Sequence, residues 1–268
     1  MMADETISIV CFKWGAAYPA EHVNILRDCV KKYLPYPFEF YCFTDDAAGI
    51  DEDIIILTSE FLASPPRERY GGGWPKLATY QKGVLPPDRI TFLMDLDIVI
   101  LGSLAPFVAR VKEHGGGLHI VRQMMNSLGE TLLPLGWRRN RGGNSSFVAF
   151  YPHEQYHIYD KYLEVQDTGY RTKGDYKFFS DQRFVSQHAH DVQFWDSNSV
   201  KIFRRQCVPM HFWGKPKPIA QPSCPVVVFP GSPNPSDLCR DDVGAWGRGR
   251  RCGFGPVDWV QKNWRRWS

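Results

Sequence analysis

The stretch Thr91–Leu101, which reads TFLMDLDIVIL, is the part of the sequence that decides the fold. Residues 92–94 form a short apolar run, which is typical of a strand covered on both faces of a sheet. Asp95 and Asp97 follow at its carboxyl end, the edge at which open α/β sheets bind ligands. Two carboxylates so close together beside apolar walls favour a bound cation. Their oxygen atoms suit Mg²⁺ or Mn²⁺, and phosphate is a usual further ligand of such an ion. The alternative is an acidic turn after a strand, without any metal.

Length, charge and cysteine content limit the classes of protein to consider. A chain of 268 residues suffices for one large or two small domains with a substantial core. The net charge of +3 gives no overall case for nucleic acid as a partner. The seven cysteines form no Cys-x-x-Cys pair, which indicates reduced thiols in a cytoplasmic protein. We see no signal-peptide pattern, no apolar run of membrane-spanning length and no evident obligate protein partner.

Hydrophobic periodicity predicts alternating strands and helices through the first half of the chain. This alternation favours an α/β fold with a mostly parallel central sheet. Dense proline from residue 209 to residue 235 predicts an irregular C-terminal extension, interrupted by one strand. The predicted strands cover residues 7–12, 39–43, 54–57, 92–94, 118–122, 146–151 and 226–229, and the predicted helices cover residues 21–33, 75–82, 156–165 and 181–188.

The last segment, residues 241–268, is basic and rich in tryptophan. We expect this tail to pack on the preceding domain, residues 1–240. Trp264 and Trp267 are three residues apart, so a short helix would place them on one face. A basic aromatic end also suits an anionic bilayer surface, which would place the protein at the inner face of a membrane.

Seven further segments stand out in order along the chain: Val10–Gly15, Cys42–Asp46, Gly73–Leu77, Asn144–Val148, Ser180–Gln182, Val226–Asp237 and Trp246–Trp264. Together they resemble elements of the A-type fold of nucleotide-sugar-dependent glycosyltransferases, in particular of a bacterial subgroup. The resemblance covers nearly the whole chain. It implies a single Rossmann-like domain with a nucleotide-binding half, residues 1–101, and an acceptor half, residues 102–240. It also implies transfer of a sugar from a nucleotide-sugar donor, such as a uridine diphosphate sugar, to a glycan or lipid-linked glycan of the lipopolysaccharide type.

The same resemblance implies roles for individual residues. Asp181 and Gln182 would face the donor sugar, with Asp181 as the catalytic carboxylate beside the anomeric carbon. Asp95 and Asp97 would hold Mn²⁺ or Mg²⁺ against the diphosphate. The contacts to the nucleotide sugar would come from Cys11, Lys13, Thr44, Asp45, Lys76, Asp95, Asn144, Ser145 and Gly231.

Ordinary structural roles remain open for most of these side chains. Lys76 could be a solvated lysine on a helix face, and Asp181 could be an acid that favours a helix N-terminus. The remaining pairs could be turn residues, since short polar side chains often bond their own backbone after a strand. These pairs are Thr44 with Asp45 and Asn144 with Ser145.

One position departs from the subgroup. The closing segment of the subgroup carries a histidine that binds the metal, and this chain has Pro230 there. His211 begins the stretch HFWGKPKP, residues 211–218, which is similar to the His-x-x-Gly-x-x-Lys-Pro signature of glycogenin-like and lipopolysaccharide sugar transferases. We therefore predict that His211 is the third protein ligand of the metal. The alternative is that His211 is an ordinary loop residue and that water fills the third position.

Two other functions fit parts of the sequence. Residues 95–99 also fit the Asp-x-Asp-x-Val nucleophile loop of haloacid-dehalogenase-like phosphatases, with Asp95 as nucleophile. That family places the loop on its first strand and needs a later acidic pair, for which Asp241 and Asp242 are the candidates here. The second alternative is an inactive sugar-binding relative that has lost its metal histidine.

Overall fold

A seven-stranded sheet forms the centre of the computed structural model, which describes residues 5–58, 74–123, 142–166, 181–210 and 219–267. The strands are β1 (Ile7–Lys13), β2 (Phe38–Thr44), β3 (Ile55–Leu57), β4 (Thr91–Met94), β5 (Ile98–Ile100), β6 (Leu118–Arg122), β7 (Gly143–Phe150), β8 (Val192–Trp195), β9 (Val200–Ile202), β10 (Val226–Val228), β11 (Ala245–Arg248) and β12 (Arg251–Phe254). The α-helices are α1 (Ala20–Tyr33), α2 (Ala105–His114), α3 (Pro152–Gln166), α4 (Asp181–His188), α5 (Pro235–Leu238) and α6 (Asp258–Asn263). A 3₁₀ helix covers Trp74–Tyr80, and a π-helical turn covers Phe203–Cys207.

The central sheet has the strand order β3-β2-β1-β4-β7-β6-β8. The neighbours of β1, which are β2 and β4, both run parallel to it, whereas β7 runs antiparallel to β4 and β6. The predicted mostly parallel sheet is therefore confirmed, with one reversed strand in its middle. Because β1, β2 and β4 point the same way, the segments that follow them meet at one edge of the sheet.

A second sheet begins where the central sheet ends. Strand β5 pairs antiparallel with β10, and β9 completes this three-stranded sheet in the order β5-β10-β9. The chain thus leaves the central sheet at Met94 and enters the second sheet at Ile98. Asp95 and Asp97 lie in the connection between the two sheets, with apolar strands on either side of them.

Apolar cores cover both faces of the central sheet. On one face lies α1, whose apolar side chains Val23, Leu26 and Val30 are buried. Glu21 in its first turn and lysines in its last turn complement the helix dipole. The other face is covered by the 3₁₀ helix, α3 and α4, where the ring of Tyr80 packs against Phe150. The rigid sheet between these layers fixes the segment after β4.

Several predicted elements differ in kind or extent from the observed ones. The predicted helix at residues 75–82 is a 3₁₀ helix that ends at Tyr80. Strand β7 begins at Gly143, three residues before the predicted start, so Asn144 and Ser145 lie in a strand rather than in a turn. Helix α2 was not predicted from the sequence at all. Most of the polar segment at residues 123–143 lies outside the described residues.

The tail packs against the core with its tryptophans turned inward. Trp246, Trp259 and Trp264 are all buried, and Arg266 donates to Asp28 at 2.7 Å. Helix α6 ends at Asn263, so the expectation that Trp264 and Trp267 share a helical face is wrong. In the part of the chain that the structure describes, no helix is long and apolar enough to cross a membrane.

Candidate active site

Backbone hydrogen bonds fix Asp95 and Asp97 at the junction of the two sheets. The amide of Asp95 donates to the carbonyl of Ser146 at 2.9 Å, which extends the β4–β7 ladder by one residue. The carbonyl of Asp97 accepts from the amide of Phe229 at 3.2 Å, which extends the β5–β10 ladder in the same way. Both aspartates are therefore anchored through their backbones, one to each sheet.

The Asp97 carboxylate is buried and only half satisfied. Its exposed fraction is 7%, and its Oδ2 atom accepts a long hydrogen bond of 3.4 Å from the hydroxyl of Tyr18. Its Oδ1 atom is buried and has no hydrogen-bond partner. Burial, and then the negative charge of Asp95, raise the pKa of Asp97 to about 7. A buried carboxylate oxygen without a partner is costly unless another group binds it.

Lys76 is the cation of this site. The 3₁₀ helix carries it over the sheet edge, and its Nζ atom lies 2.5 Å from Asp95 Oδ1. Burial alone would lower the pKa of Lys76, but the charges of Asp95 and Asp181 raise it above the ordinary lysine value. Lys76 is thus an ammonium ion among carboxylates and not a solvated lysine on an exposed helix face.

Asp181 lies beside Lys76 as the first residue of α4. The hydroxyl of Ser145 donates to Asp181 Oδ2 at 2.9 Å, so β7 and α4 orient this carboxylate together. Burial raises the pKa of Asp181, and the charge of Lys76 and the bond from Ser145 oppose that rise. Next to Ser145, the buried Asn144 amide has an Nδ2 atom without a partner, while its Oδ1 atom accepts from the amide of Ser146 at 3.0 Å.

The carboxyl ends of β1 and β2 form a second cluster of predicted site residues. Lys13 Nζ donates to the carbonyl of Asp46 at 2.8 Å, and the hydroxyl of Thr44 donates to the same carbonyl at 2.8 Å. Asp45 accepts from the amide of Gly15 at 3.1 Å. Lys13 and Asp45 hold the two loops together, whereas Thr44 bonds the backbone of its own turn, as the sequence left open for it.

Fewer contacts define the positions of the other predicted site residues. The thiol of Cys11 is buried, and Cys11 pairs in register with Cys42, so this side chain lies in the apolar core against the sheet. Gln182 is half-buried beside Asp181. Gly231 is exposed, with a φ of +80° and open space where a Cβ atom would lie. His211 lies outside the described residues, so its role as a metal ligand stays a prediction.

The carboxylate oxygens of Asp95 and Asp97 suit a divalent cation. The unpartnered Asp97 Oδ1 offers one free carboxylate oxygen, and Asp95 keeps a second oxygen beyond the one bound by Lys76. Over the described ranges, no group of three or more His, Cys, Asp and Glu side chains is placed to hold a metal ion. Asp95 and Asp97 are therefore the candidate protein ligands among the described residues, and His211 lies outside them.

Sequence reasoning missed two tyrosines of this site. Tyr18 lies in the irregular turn before α1, where no periodicity marks it. Tyr80 follows Lys76 by four residues, a spacing that would place both side chains on one face of an α-helix and could have identified it, although the observed helix is 3₁₀. The buried hydroxyl of Tyr80 has no partner, and burial and the charge of Asp181 raise its pKa.

Comparison with solved structures identifies the fold in which these groups are arranged. The chain matches a galactosyltransferase LgtC crystallised with donor and acceptor sugar analogues, with a TM-score of 0.53 and 13% identity over 85% of this chain and 89% of that one. The chain has the fold of the A-type glycosyltransferases. Mouse xyloside xylosyltransferase 1 matches this A-type fold with a TM-score of 0.51 and 11% identity, over 75% of this chain and 88% of that one.

A third structure extends the likeness to part of a larger protein. The bifunctional glycosyltransferase WbbM matches with a TM-score of 0.53 and 11% identity, over 87% of this chain and 47% of that one. No protein-family model matches the sequence, and no curated protein is similar to it. At these identities the comparisons establish the A-type fold, so the individual site residues must be argued from their geometry.

Proposed function

We propose that this protein is a metal-dependent glycosyltransferase that uses a nucleotide-sugar donor. The observation that carries the proposal is the convergence of Lys76, Asp95, Asp97 and Asp181 at one edge of an A-type glycosyltransferase sheet. A uridine diphosphate sugar is the proposed donor, and a glycan or lipid-linked glycan of the lipopolysaccharide type is the proposed acceptor. Both of these finer assignments rest on the resemblance of the sequence segments.

Sugar transfer breaks the bond between an anomeric carbon and a diphosphate, so positive charge develops on the sugar and negative charge on the leaving group. Asp181, oriented by Ser145, is the group that would stabilise the sugar charge. Lys76 supplies positive charge on the side of the leaving diphosphate. Fixed charges of this kind act most strongly on the transition state, because they are already oriented before the bond breaks.

Asp95 and Asp97 would hold the divalent cation, Mn²⁺ or Mg²⁺, with His211 as the proposed third ligand. When bound, such an ion neutralises charge on the leaving diphosphate. The chain's own contribution is to present two carboxylates from a rigid junction, one of them with an unpartnered oxygen. The nucleoside would lie toward Lys13, Thr44 and Asp45, at the ends of the neighbouring parallel strands.

We also propose peripheral contact with an anionic membrane, from the cytoplasmic side. The buried tryptophans of the tail are not free to make it, so the exposed residues of the β11–β12 hairpin are the candidates. Phe254 is 75% exposed there. An exposed aromatic ring on a basic tail suits the interface of an anionic bilayer. Sedimentation of the protein with vesicles of anionic lipid, and its loss in Phe254→Ser, would support this contact.

The phosphatase alternative receives little support from the arrangement of the acidic residues. Its second acidic pair would be Asp241 and Asp242, which are both exposed. Asp242 pairs with Arg240, and Asp241 accepts from Gln261. Asp95 itself is paired with Lys76 instead of being free as a nucleophile. A trapped aspartyl-phosphate at Asp95 would revive this alternative.

The deciding experiment is a screen of sugar nucleotides by thermal shift, with and without Mn²⁺, followed by an assay of donor hydrolysis. Ligands that bind the folded state stabilise it by mass action, so a true donor should raise Tm with dose. We expect a uridine diphosphate sugar to do so only with the metal, and to be hydrolysed slowly. A donor that binds without turnover would favour the inactive sugar-binding relative. If no sugar nucleotide raises Tm, the proposed function is wrong.

A further inference from the structure

Asp97 contacts the protein through its backbone and through its carboxylate, and the two contacts differ. Its backbone carbonyl accepts from the amide of Phe229, the residue before Pro230. Proline has no side-chain donor or ligand atom, so this segment provides only backbone support. The carboxylate is contacted by Tyr18, from the turn between β1 and α1.

Tyr18 hydrogen-bonds one carboxylate oxygen of Asp97 and leaves the other oxygen without a partner. Its hydroxyl donates to Oδ2 at 3.4 Å, while Oδ1 has no partner. Within the described ranges, Tyr18 is the only side chain that hydrogen-bonds the Asp97 carboxylate. Carboxylates that bind metals are themselves usually held by a hydrogen bond to their second oxygen, which fixes the orientation of the first.

The ring of Tyr18 is itself held in place. It packs against His22 of α1, with ring centroids 5.5 Å apart, and His22 packs edge-on against Trp264 at 4.7 Å. The tail therefore supports His22, and His22 supports Tyr18. Ordered support of this kind is what an orienting group requires, because a freely rotating hydroxyl would not fix a carboxylate.

We propose that Tyr18 is a positioning residue of the cation site, which orients Asp97 through Oδ2 and leaves Oδ1 for the divalent ion. The inference rests on the proposed function, since it assumes that Asp97 is a metal ligand. Tyr18 does not touch the ion or the substrate; it acts through Asp97. This chain has proline at the position of the subgroup's metal histidine. Among the contacts of the described residues, the hydrogen bond from Tyr18 is the side-chain contact that can orient the Asp97 carboxylate.

The test is direct measurement of Mn²⁺ binding to the full chain, by calorimetry or by the electron paramagnetic resonance of free Mn²⁺, with uridine diphosphate present. Tyr18→Phe keeps the ring and removes the hydroxyl. Tyr41→Phe is the matched control, since its hydroxyl also donates to a carboxylate, that of Glu39 on β2. We expect Tyr18→Phe to weaken Mn²⁺ binding by about tenfold, the lower end of the range for such supporting groups, because the bond is long. Tyr41→Phe should bind Mn²⁺ as the unchanged protein does.

A second measurement separates positioning from a general effect on folding. In the donor-hydrolysis assay, the half-saturating Mn²⁺ concentration of Tyr18→Phe should rise by the same factor, and saturating Mn²⁺ should restore the maximal rate. Equal Mn²⁺ affinity in Tyr18→Phe and the unchanged protein would overturn the inference, as would a loss of rate that Mn²⁺ does not restore. If Mn²⁺ binding weakens as expected but no sugar nucleotide is turned over by either protein, Tyr18 keeps its role and the proposed function fails instead.

Discussion

The Nζ atom of Lys76 lies 2.5 Å from Oδ1 of Asp95, and this ion pair joins the 3₁₀ helix to the carboxyl end of the central strand β4. The pair lies between two further carboxylates, Asp97 and Asp181, whose charges also act on Lys76. Three carboxylates and one ammonium ion leave this site short of positive charge. The resulting excess of negative charge favours the binding of a further cation.

Removal of the ammonium ion should destabilise the metal-free protein. Lys76→Met leaves three carboxylates without a cation, and we expect a loss of about 2–3 kcal/mol in the free energy of unfolding at pH 7.5. This is less than the loss for a fully buried pair, about 3–5 kcal/mol, because the side chains of Lys76 and Asp95 are 17% and 20% exposed. Urea denaturation with a metal chelator measures it, and Mn²⁺ should recover part of the loss.

The control for this experiment is Lys82→Met, which removes an exposed lysine close by in the sequence. It should change the free energy of unfolding by no more than about 0.5 kcal/mol, as is usual for surface substitutions. Equal effects of the two substitutions would show that Lys76 does not balance the carboxylates.

The stability of the metal-free protein should fall as pH rises toward neutrality. The pKa of Asp97 is raised to about 7 by burial and by Asp95, whereas an unfolded aspartate has a pKa of about 3.9. Between these values the folded state holds a proton that the unfolded state has lost, so stability decreases with rising pH and the loss is complete above pH of about 7. At about 1.4 kcal/mol per pKa unit, the loss is at most about 4 kcal/mol.

Asp97→Asn removes this titration and also the charge that would hold the ion. The variant should be more stable than the unchanged protein at pH 8 in a metal chelator, and the difference should shrink toward pH 4. It should also lose metal-dependent turnover. Asp88→Asn, at a side chain that is 85% exposed, is the control and should leave the pH profile unchanged. A variant of Asp97 that retains near-normal metal-dependent activity would exclude this aspartate as a ligand.

Asp181→Asn should reduce the turnover number far more than donor affinity, by about 10²–10³-fold, the usual cost of removing one oriented electrostatic group. The reason is that the carboxylate acts on a sugar charge that exists only in the transition state. Ser145→Ala keeps the carboxylate and removes the 2.9 Å hydrogen bond to it, so its loss of turnover should be smaller, about tenfold. Single-turnover kinetics with donor titration measures both quantities. An equal loss in affinity and turnover would make Asp181 a donor-binding residue only.

Pro230→His should strengthen Mn²⁺ binding. Pro230 stands at the position of the subgroup's metal histidine, and it follows Phe229, whose amide bonds the backbone carbonyl of Asp97. Nitrogen ligands suit Mn²⁺ better than Mg²⁺, so the preference for Mn²⁺ should increase as well. A tenfold gain in affinity requires only about 1.4 kcal/mol. Calorimetry with both metals measures the change, and Pro230→Ala provides the baseline. Identical affinities of the histidine and alanine variants would place residue 230 out of reach of the metal.

The sequence by itself predicted the α/β class, the central strand and the acidic pair at its end. It could do so because an apolar run that stops at two aspartates is a local signal, and because the period of the apolar residues in α1 is local too. The mostly parallel sheet followed from the alternation of these elements. Segments that resemble glycosyltransferase elements indicated the same fold, which the solved structures then identified.

Only the tertiary structure decided how the polar residues are grouped. The contact of Lys76 with Asp95 and that of Ser145 with Asp181 join residues 19 and 36 positions apart. The resemblance implied that these four residues share one site, but it did not indicate which of them pair. The contact of Tyr18 with Asp97 spans 79 positions, between a turn and a junction of two sheets. The pKa of Asp97 likewise depends on burial by segments far away in the sequence. Periodicity reports which face of an element is covered, whereas charge and hydrogen bonding depend on which elements the fold brings together.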